Sequence, residues 1–235
     1  MPRSDRGFMV GGPARLYQGA MGDAYHAQRA QSRDEAVQAQ RAIDFAGLST
    51  EQDVVLDFGC GTGGILGTLP AARKIGVEIN ERAAQEAQTR LDAVHPALAD
   101  VPANSVDVII SFHALEHVGH PLTELQEMRR VLKPKGRLRI IVPCETPLFH
   151  KPHRKWKPDD IDMHLYSWTP LTLGNLISVA GLQVVATDIV PMSSGGRLAT
   201  MLKSSPRLAI AARWLKAIRA KSHATQLLIT AIKAE

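Results

Sequence analysis

Short apolar runs, bounded by polar or glycine-rich stretches, alternate along this chain with segments whose apolar residues recur at helical spacing. The runs predict strands at residues 54–56, 74–78, 107–112, 137–142, 183–190 and 226–232. Helical spacing predicts helices over 32–45, 81–91, 121–132 and 169–181, and one that begins near Ile65. This alternation is typical of a doubly wound parallel α/β sheet. The last two strands have no clear crossover helix close to them, so we expect them to pair antiparallel.

Residues that favour helix starts precede four of these helices. Ser32 and Glu35 form a capping-box pattern, and Asn80 is placed to cap the Ala-rich helix over 81–91. Pro121 stands in the first turn of the helix over 121–132, and Thr169-Pro170 begins the helix over 169–181.

The length of 235 residues suits one domain with a substantial core. We predict an N-terminal helical segment at 1–47 and a domain at 48–235 that carries inserts at 143–166 and 191–221. A composition of 45% hydrophobic and 22% charged residues excludes collagen, coiled-coil and disordered classes. No membrane-spanning apolar run or signal peptide is evident. Two cysteines make no disulfide framework, so we expect a cytoplasmic protein.

Positive charge is concentrated in the last fifth of the chain. Residues 1–188 carry 20 Lys and Arg against 22 Asp and Glu, a net charge of −2. Residues 189–235 carry 8 Lys and Arg against the single Glu235, a net charge of +7. This asymmetry indicates either an acidic partner or a solvated basic face.

A glycine-rich turn follows the first strand and carries the most specific chemistry. Gly59, Gly61 and Gly64 fit G-x-G-x-x-G, which is also found in nicotinamide and flavin sites. Asp57, two residues before the first glycine, would repel a diphosphate and suits a cationic ligand. Glu78 ends the next strand, 19 residues beyond Gly59, and can hold both hydroxyls of a ribose.

Several motifs in one order resemble class I S-adenosylmethionine-dependent methyltransferases over about residues 50–190: Asp57-x-Gly59-x-Gly61-x-Gly63, Glu78, Ala99-Asp100, and the strand 107–112 running into His113-Ala-Leu-Glu-His117-Val. The resemblance implies a Rossmann-like, doubly wound, mostly parallel seven-stranded sheet with an antiparallel last strand. It implies that Asp57 and the glycine loop hold the amino-acid end of S-adenosyl-L-methionine and that Glu78, beside Ile79, holds the ribose. It also places Asp100 and Val101 at the adenine, and Phe112 and His113 beneath the methyl group.

His113-Ala-Leu-Glu116-His117 also matches H-x-x-E-H, an inverted zinc-peptidase pattern. That metal site requires two histidines on one face of a regular helix. Here the segment lies at a strand end, and Gly119 and Pro121 follow at once. We therefore predict no metal, and we expect Glu116 and His117 to cap or brace the next helix.

The insert at 143–166 is rich in His, Trp and Asp and lies at a strand end, where α/β folds bind ligands. His153 and His164 are our candidates for the general base that a hydroxyl acceptor needs. The same histidines could instead brace a polar lid, or hold a divalent metal together with the aspartates. With residues 164–176, this insert is similar to methyltransferases of surface-polysaccharide and glycosyl-precursor pathways, which implies a sugar or sugar-nucleotide acceptor.

In the basic segment at 205–221, the spacing of the apolar residues predicts an amphipathic helix. Its apolar side consists of Leu208, Ala211, Ala212, Leu215 and Ile218. Three roles fit it: contact with a membrane surface, a clamp for an anionic acceptor, or packing on the domain or on a second subunit. Sparse aromatic residues and the lack of an RNA-binding motif argue against nucleic acid.

The sequence therefore predicts a cytoplasmic methyltransferase that acts on a small or carrier-linked metabolite, at oxygen. Two alternatives remain open. One is a catalytically inactive cofactor-binding partner subunit, and the other is an NAD-dependent oxidoreductase, against which Asp57 argues.

Overall fold

The computed structural model describes residues 17–28, 34–144, 164–192, 208, 210–212, 214–215 and 225–235. Seven strands form one sheet: β1 Val54–Phe58, β2 Arg73–Val77, β3 Ala93–His95, β4 Val106–Phe112, β5 Leu132–Cys144, β6 Gln183–Pro191 and β7 Thr225–Ile232. In the continuously described ranges, six α-helices accompany it: α1 Gly19–Gln28, α2 Glu35–Ala42, α3 Gly64–Gly67, α4 Glu81–Ala87, α5 Pro121–Val131 and α6 Pro170–Val179. Residues 208, 210–212 and 214–215 are also helical. Short 3₁₀ turns lie at Ile43–Phe45, Leu98–Asp100 and Leu115–His117.

The strands lie in the order β3-β2-β1-β4-β5-β7-β6. The ladders from β3 through β5 are parallel, whereas β7 is antiparallel to both β5 and β6. The predicted α/β class, the seven-stranded sheet and the antiparallel last strand are confirmed. The strand patterns had not revealed β3, which has three half-buried residues and no continuous apolar run.

Hydrophobic side chains cover both faces of the sheet, as a doubly wound fold requires. On one face Leu56 belongs to a cluster that includes Leu125 of α5 and Ile177 of α6. On the other face Val55 belongs to a cluster that includes Phe45 and Leu66. Val55 and Leu56 are adjacent in β1 and join different clusters because successive strand residues point to opposite faces.

Most helix starts follow the predicted caps. The Asn80 side chain accepts from the Ala83 amide at 2.8 Å, and Thr169 begins α6 with a capping box. The capping residue of α2 is Asp34, whose carboxylate accepts from the Ala36 amide, so the prediction of Ser32 as the cap was wrong. The α-helix α4 ends at Ala87, four residues before the predicted end.

Helix α2 and the turn after it pack on the domain that follows: Phe45 is fully buried in the core, and α2 contacts α3. The predicted division at 47 and 48 stays a prediction. Much of both predicted inserts lies outside the described residues. In the second, Ala212 is buried, but Leu208 and Leu215 are 55% and 47% exposed, so part of the expected apolar side faces solvent. Within the described ranges, no helix is long and apolar enough to cross a membrane.

Candidate active site

A cavity of about 650 Å³ opens where β1, β2 and β4 end. Parallel strands present their carboxyl ends at one edge, which is where α/β folds place ligands. Residues of this edge that line the cavity are Asp57, Gly59, Gly61, Glu78, Ile79, Phe112, His113, Ala114 and His117. Helices α1 and α2 close another side with Tyr25, His26, Gln38 and Arg41, next to Tyr17.

The glycine loop reaches the cavity through a backbone that other residues would not tolerate. Gly59 has a φ of +73°, and a Cβ at this position would collide with the Cβ of Ala114. The Gly59 amide donates to the Val77 carbonyl at 2.9 Å, which ties the loop to the end of β2. Gly61 has a φ of +53° and turns its amide toward Glu78.

The Glu78 carboxylate is held by two backbone donors. It accepts from the Gly61 amide and from the Asn80 amide, each at 2.8 Å. Burial raises the pKa of Glu78 above its ordinary value, and these amides offset part of that increase. The side chain is therefore oriented toward the cavity before any ligand binds.

The Asp57 carboxyl is only 2% exposed. Burial, together with the nearby Glu78 carboxylate, raises the pKa of Asp57 to about 8. Without a ligand Asp57 is therefore mostly protonated at neutral pH. A cation bound in the cavity would favour its ionised form, because opposite charges a few ångströms apart stabilise each other.

The cavity floor is a stack of planar groups. The rings of Phe112 and His113 lie 4.2 Å apart and nearly parallel, and the Arg41 guanidinium lies 5.1 Å from the Phe112 centroid. Burial, and then the Arg41 charge, lowers the pKa of His113 to about 3. The imidazole of His113 is therefore neutral at physiological pH and presents a flat, uncharged surface.

A second polar cluster lies beside this floor. Glu116 is fully buried, and both of its carboxylate oxygens lack a hydrogen-bond partner among the described residues. His117 contacts the Tyr17 hydroxyl through Nδ1 at 2.7 Å, and its ring lies 4.9 Å from that of His164. The helix α5 has His120 at its N-cap, with no side-chain cap bond. Glu116 therefore does not cap that helix, and the expectation that Glu116 and His117 brace it stays a prediction.

The structure brings together most of the predicted cofactor residues. Asp57, Gly59, Gly61, Glu78, Ile79, Phe112 and His113 all line the cavity. Three do not: Gly63 forms the left-handed N-cap of α3, Asp100 is exposed, and Val101 lies in the core at 1% exposure. Pro96, Ala97 and Leu98 line the corresponding wall. His164 lies next to His117, and His153 lies outside the described residues.

Gln38 and Arg41 were not predicted. They lie three residues apart and therefore on one face of α2, which points them into the same cavity. That spacing was visible in the sequence, but nothing local indicated which face of the helix would meet a ligand.

Comparisons with known proteins agree with this geometry. Residues 26–187, more than half of the chain, match a family described as a methyltransferase domain. A 37.1 kDa protein in transposon TN4556 of Streptomyces fradiae is 38% identical over 96 residues, which cover 35% of this chain and 28% of that protein. The chain thus spans less than a third of that relative's length.

Two solved structures share the fold. One is a protein in complex with the Haloferax volcanii Trm112 methyltransferase activator, with a TM-score of 0.65, 20% identity and coverage of 91% of this chain and 96% of that one. The other is Haemonchus contortus phosphoethanolamine N-methyltransferase 2 bound to S-adenosyl-L-methionine, with a TM-score of 0.64, 13% identity and coverage of 97% and 61%. The chain belongs to the methyltransferase-domain family, and its fold is that of a class I S-adenosylmethionine-dependent methyltransferase.

Proposed function

We propose that this protein transfers the methyl group of S-adenosyl-L-methionine to an oxygen atom of a small or carrier-linked acceptor. The observation that carries the proposal is the pair of carboxyls, Asp57 and Glu78, at one cavity above a glycine loop. Within the described part of the chain, neither carboxyl forms an ion pair with a basic side chain, and a cationic cofactor would supply the missing charge.

The two carboxyls suit different parts of the cofactor. Glu78 is fixed by the amides of Gly61 and Asn80, so its remaining acceptor capacity fits two ribose hydroxyls. Asp57 lies deeper and gains a partner from the ammonium of the amino-acid end. The flat surface of Phe112 and His113 lies beside these groups and suits the sulfonium and its methyl group.

The bond change is an in-line displacement, in which the acceptor oxygen forms a bond to the methyl carbon as the carbon–sulfur bond breaks. The protein mainly contributes orientation, which supplies roughly 7–11 kcal/mol in favourable cases. His164 is our candidate base because it lies 4.9 Å from His117, which lines the cavity. His153 stays a candidate from the sequence. A sugar or sugar-nucleotide acceptor rests on the similarity of residues 143–176 to polysaccharide-pathway methyltransferases, and a cytoplasmic location stays a prediction.

Calorimetric titration with S-adenosyl-L-methionine and S-adenosylhomocysteine tests the cofactor site. We expect micromolar binding by wild type and at least tenfold weaker binding by Asp57→Ala and by Glu78→Ala. The control is Asp92→Asn, because Asp92 is exposed outside the cavity and its carboxylate accepts from the Lys74 amide at 2.7 Å. A folded wild type that binds neither compound would refute the proposal, and binding of NADH instead would favour the oxidoreductase.

Turnover distinguishes an enzyme from an inactive cofactor-binding subunit. A screen of sugar and lipid-linked acceptors with methyl-labelled cofactor should give labelled product. For an anionic acceptor, neutralising Arg213, Lys216 and Arg219 together should raise KM and leave cofactor affinity unchanged. An unchanged KM would exclude this basic segment, which lies mostly outside the described residues, as the acceptor clamp.

A further inference from the structure

We propose that Glu116, His117 and His164 bind a divalent transition-metal cation of the zinc class beside the cofactor cavity. One ligand atom from each residue lies within 4.8 Å of the others. The Glu116 Oε1 and His117 Nε2 atoms are 3.8 Å apart. Ligands bound tetrahedrally at about 2.0–2.2 Å lie roughly 3.3–3.6 Å from one another, so small side-chain rotations complete the site.

The buried carboxyl of Glu116 is the feature that points to a bound cation. It is 0% exposed, and neither of its oxygens has a hydrogen-bond partner in the part of the chain that the structure describes. Burying a carboxylate without a partner costs several kcal/mol unless a cation, hydrogen-bond donors or protonation compensate, and burial raises the pKa of Glu116 to about 8. The proposed cofactor does not supply that compensation, because Glu116 is not among the residues that line its cavity.

The surrounding contacts hold the ligands in place. The Tyr17 hydroxyl contacts Nδ1 of His117 at 2.7 Å, so the other ring nitrogen, Nε2, is the one that faces Glu116. A fixed partner on the far nitrogen is what orients metal-binding histidines in known sites. The Leu165 amide donates to the Glu116 carbonyl at 2.9 Å, which anchors the segment carrying His164 to the backbone of Glu116.

Two imidazoles and one carboxylate are the donor set of catalytic zinc and non-haem iron(II) sites, which keep a position open for another ligand. His113 is not one of the three ligands, so this cluster differs from the H-x-x-E-H pattern, and it revises our expectation of no metal. His117 also lines the cavity, so the cation would lie beside the acceptor. This role rests on the proposed function and takes the place of His164 as the base, because a metal-bound imidazole nitrogen cannot accept the proton. An acceptor hydroxyl held by the cation would lose its proton to water more readily, and its oxygen would then take the methyl group.

Cobalt titration tests the site directly. Wild-type protein freed of metal with a chelator is titrated with Co²⁺ and followed by visible absorption, and zinc affinity is then measured by competition. We expect one Co²⁺ per chain, and at least tenfold weaker binding by Glu116→Gln, His117→Ala and His164→Ala. Tyr17→Phe should weaken binding by roughly tenfold through the orientation of His117.

The matched control is His95→Ala, because His95 is a partly buried histidine on β3 and does not line the cavity. Circular dichroism and urea unfolding of each variant verify that it is folded. Cobalt binding that the three ligand substitutions leave unchanged would overturn the proposal. Cobalt binding with these losses, in a protein that binds no S-adenosylhomocysteine, would support the metal site and refute the proposed function.

Discussion

Replacing Asp57 with asparagine should stabilise the ligand-free protein while it weakens cofactor binding at least tenfold. The wild-type carboxyl is 2% exposed, and burial and the Glu78 charge raise its pKa from 3.8 to about 8. At pH values between 3.8 and about 8, Asp57 keeps its proton in the folded state and has lost it in the unfolded state. Wild-type stability therefore falls as the pH rises through this window.

The size of the effect follows from the two pKa values. Each pH unit in the window is worth about 1.4 kcal/mol, and pH 7 lies about three units above the unfolded value. Asp57→Asn has no such titration, so its advantage over wild type should grow by up to about 4 kcal/mol between pH 4 and pH 7. Above pH 8 the difference should level off.

Urea unfolding of the ligand-free proteins at several pH values measures this difference. Asp107→Asn is the control, because its stability should depend on pH in the opposite direction. Burial alone would raise the pKa of Asp107, but the contacts of this carboxylate, led by the 2.8 Å hydrogen bond from Lys133, outweigh burial, so the net pKa is lowered. Asp107 therefore stabilises the protein at neutral pH and loses this contribution as the pH falls. Adding S-adenosylhomocysteine at 100 times its wild-type Kd should stabilise wild type by about 2.7 kcal/mol, and Asp57→Asn by about 1.4 kcal/mol or less if its binding is at least tenfold weaker.

Two results would contradict this reasoning. If the stability difference between wild type and Asp57→Asn does not change with pH, Asp57 is not held in its neutral form. If Asp57→Asn binds S-adenosylhomocysteine as tightly as wild type, the carboxylate does not hold the cofactor.

Two further substitutions probe the loop and a helix cap. Gly59→Ala should abolish cofactor binding and lower the Tm more than Gly47→Ala does. Both glycines have a φ of +73°, but only at Gly59 would a Cβ collide with Ala114. Equal Tm losses in the two variants would show that the collision is relieved. Thr169→Ala should cost about 1 kcal/mol in urea unfolding, since the Thr169 hydroxyl accepts from the Thr172 amide at 3.1 Å. Thr169→Ser should restore most of this loss, and failure to do so would mean that the cap bond is not the cause.

Local pattern was sufficient to predict most of the fold. Strands β1 and β4 are buried on both faces and are recognisable as continuous apolar runs. The three-residue strand β3 was not recognisable, because it is half-buried at the sheet edge and is defined by its pairing with Ile75–Val77 of β2. Helix α4 ends early at Ala87 although the alanine-rich sequence favours helix further.

The candidate site divides in the same way. Asp57 and Glu78 could be predicted because parallel strands place their carboxyl ends together. The contact of Tyr17 with His117 joins residues 100 positions apart, and His164 contacts His117 from the end of the insert at 143–166. Such contacts form only in the tertiary structure, so no periodicity in the sequence predicts them.

The position of β7 has a consequence for folding. Among the described strands, β6 pairs with β7 and makes no ladder with β5. Strand β6 ends at Pro191, but β7, which must lie between it and β5, begins only at Thr225. The edge of β5 therefore stays unpaired until β7, which is distant from it in sequence, pairs with it. Closing the long loop between β5 and β7 slows folding. We expect the docking of β6 and β7 to be the slow step, and folding intermediates to associate through the open edge of β5.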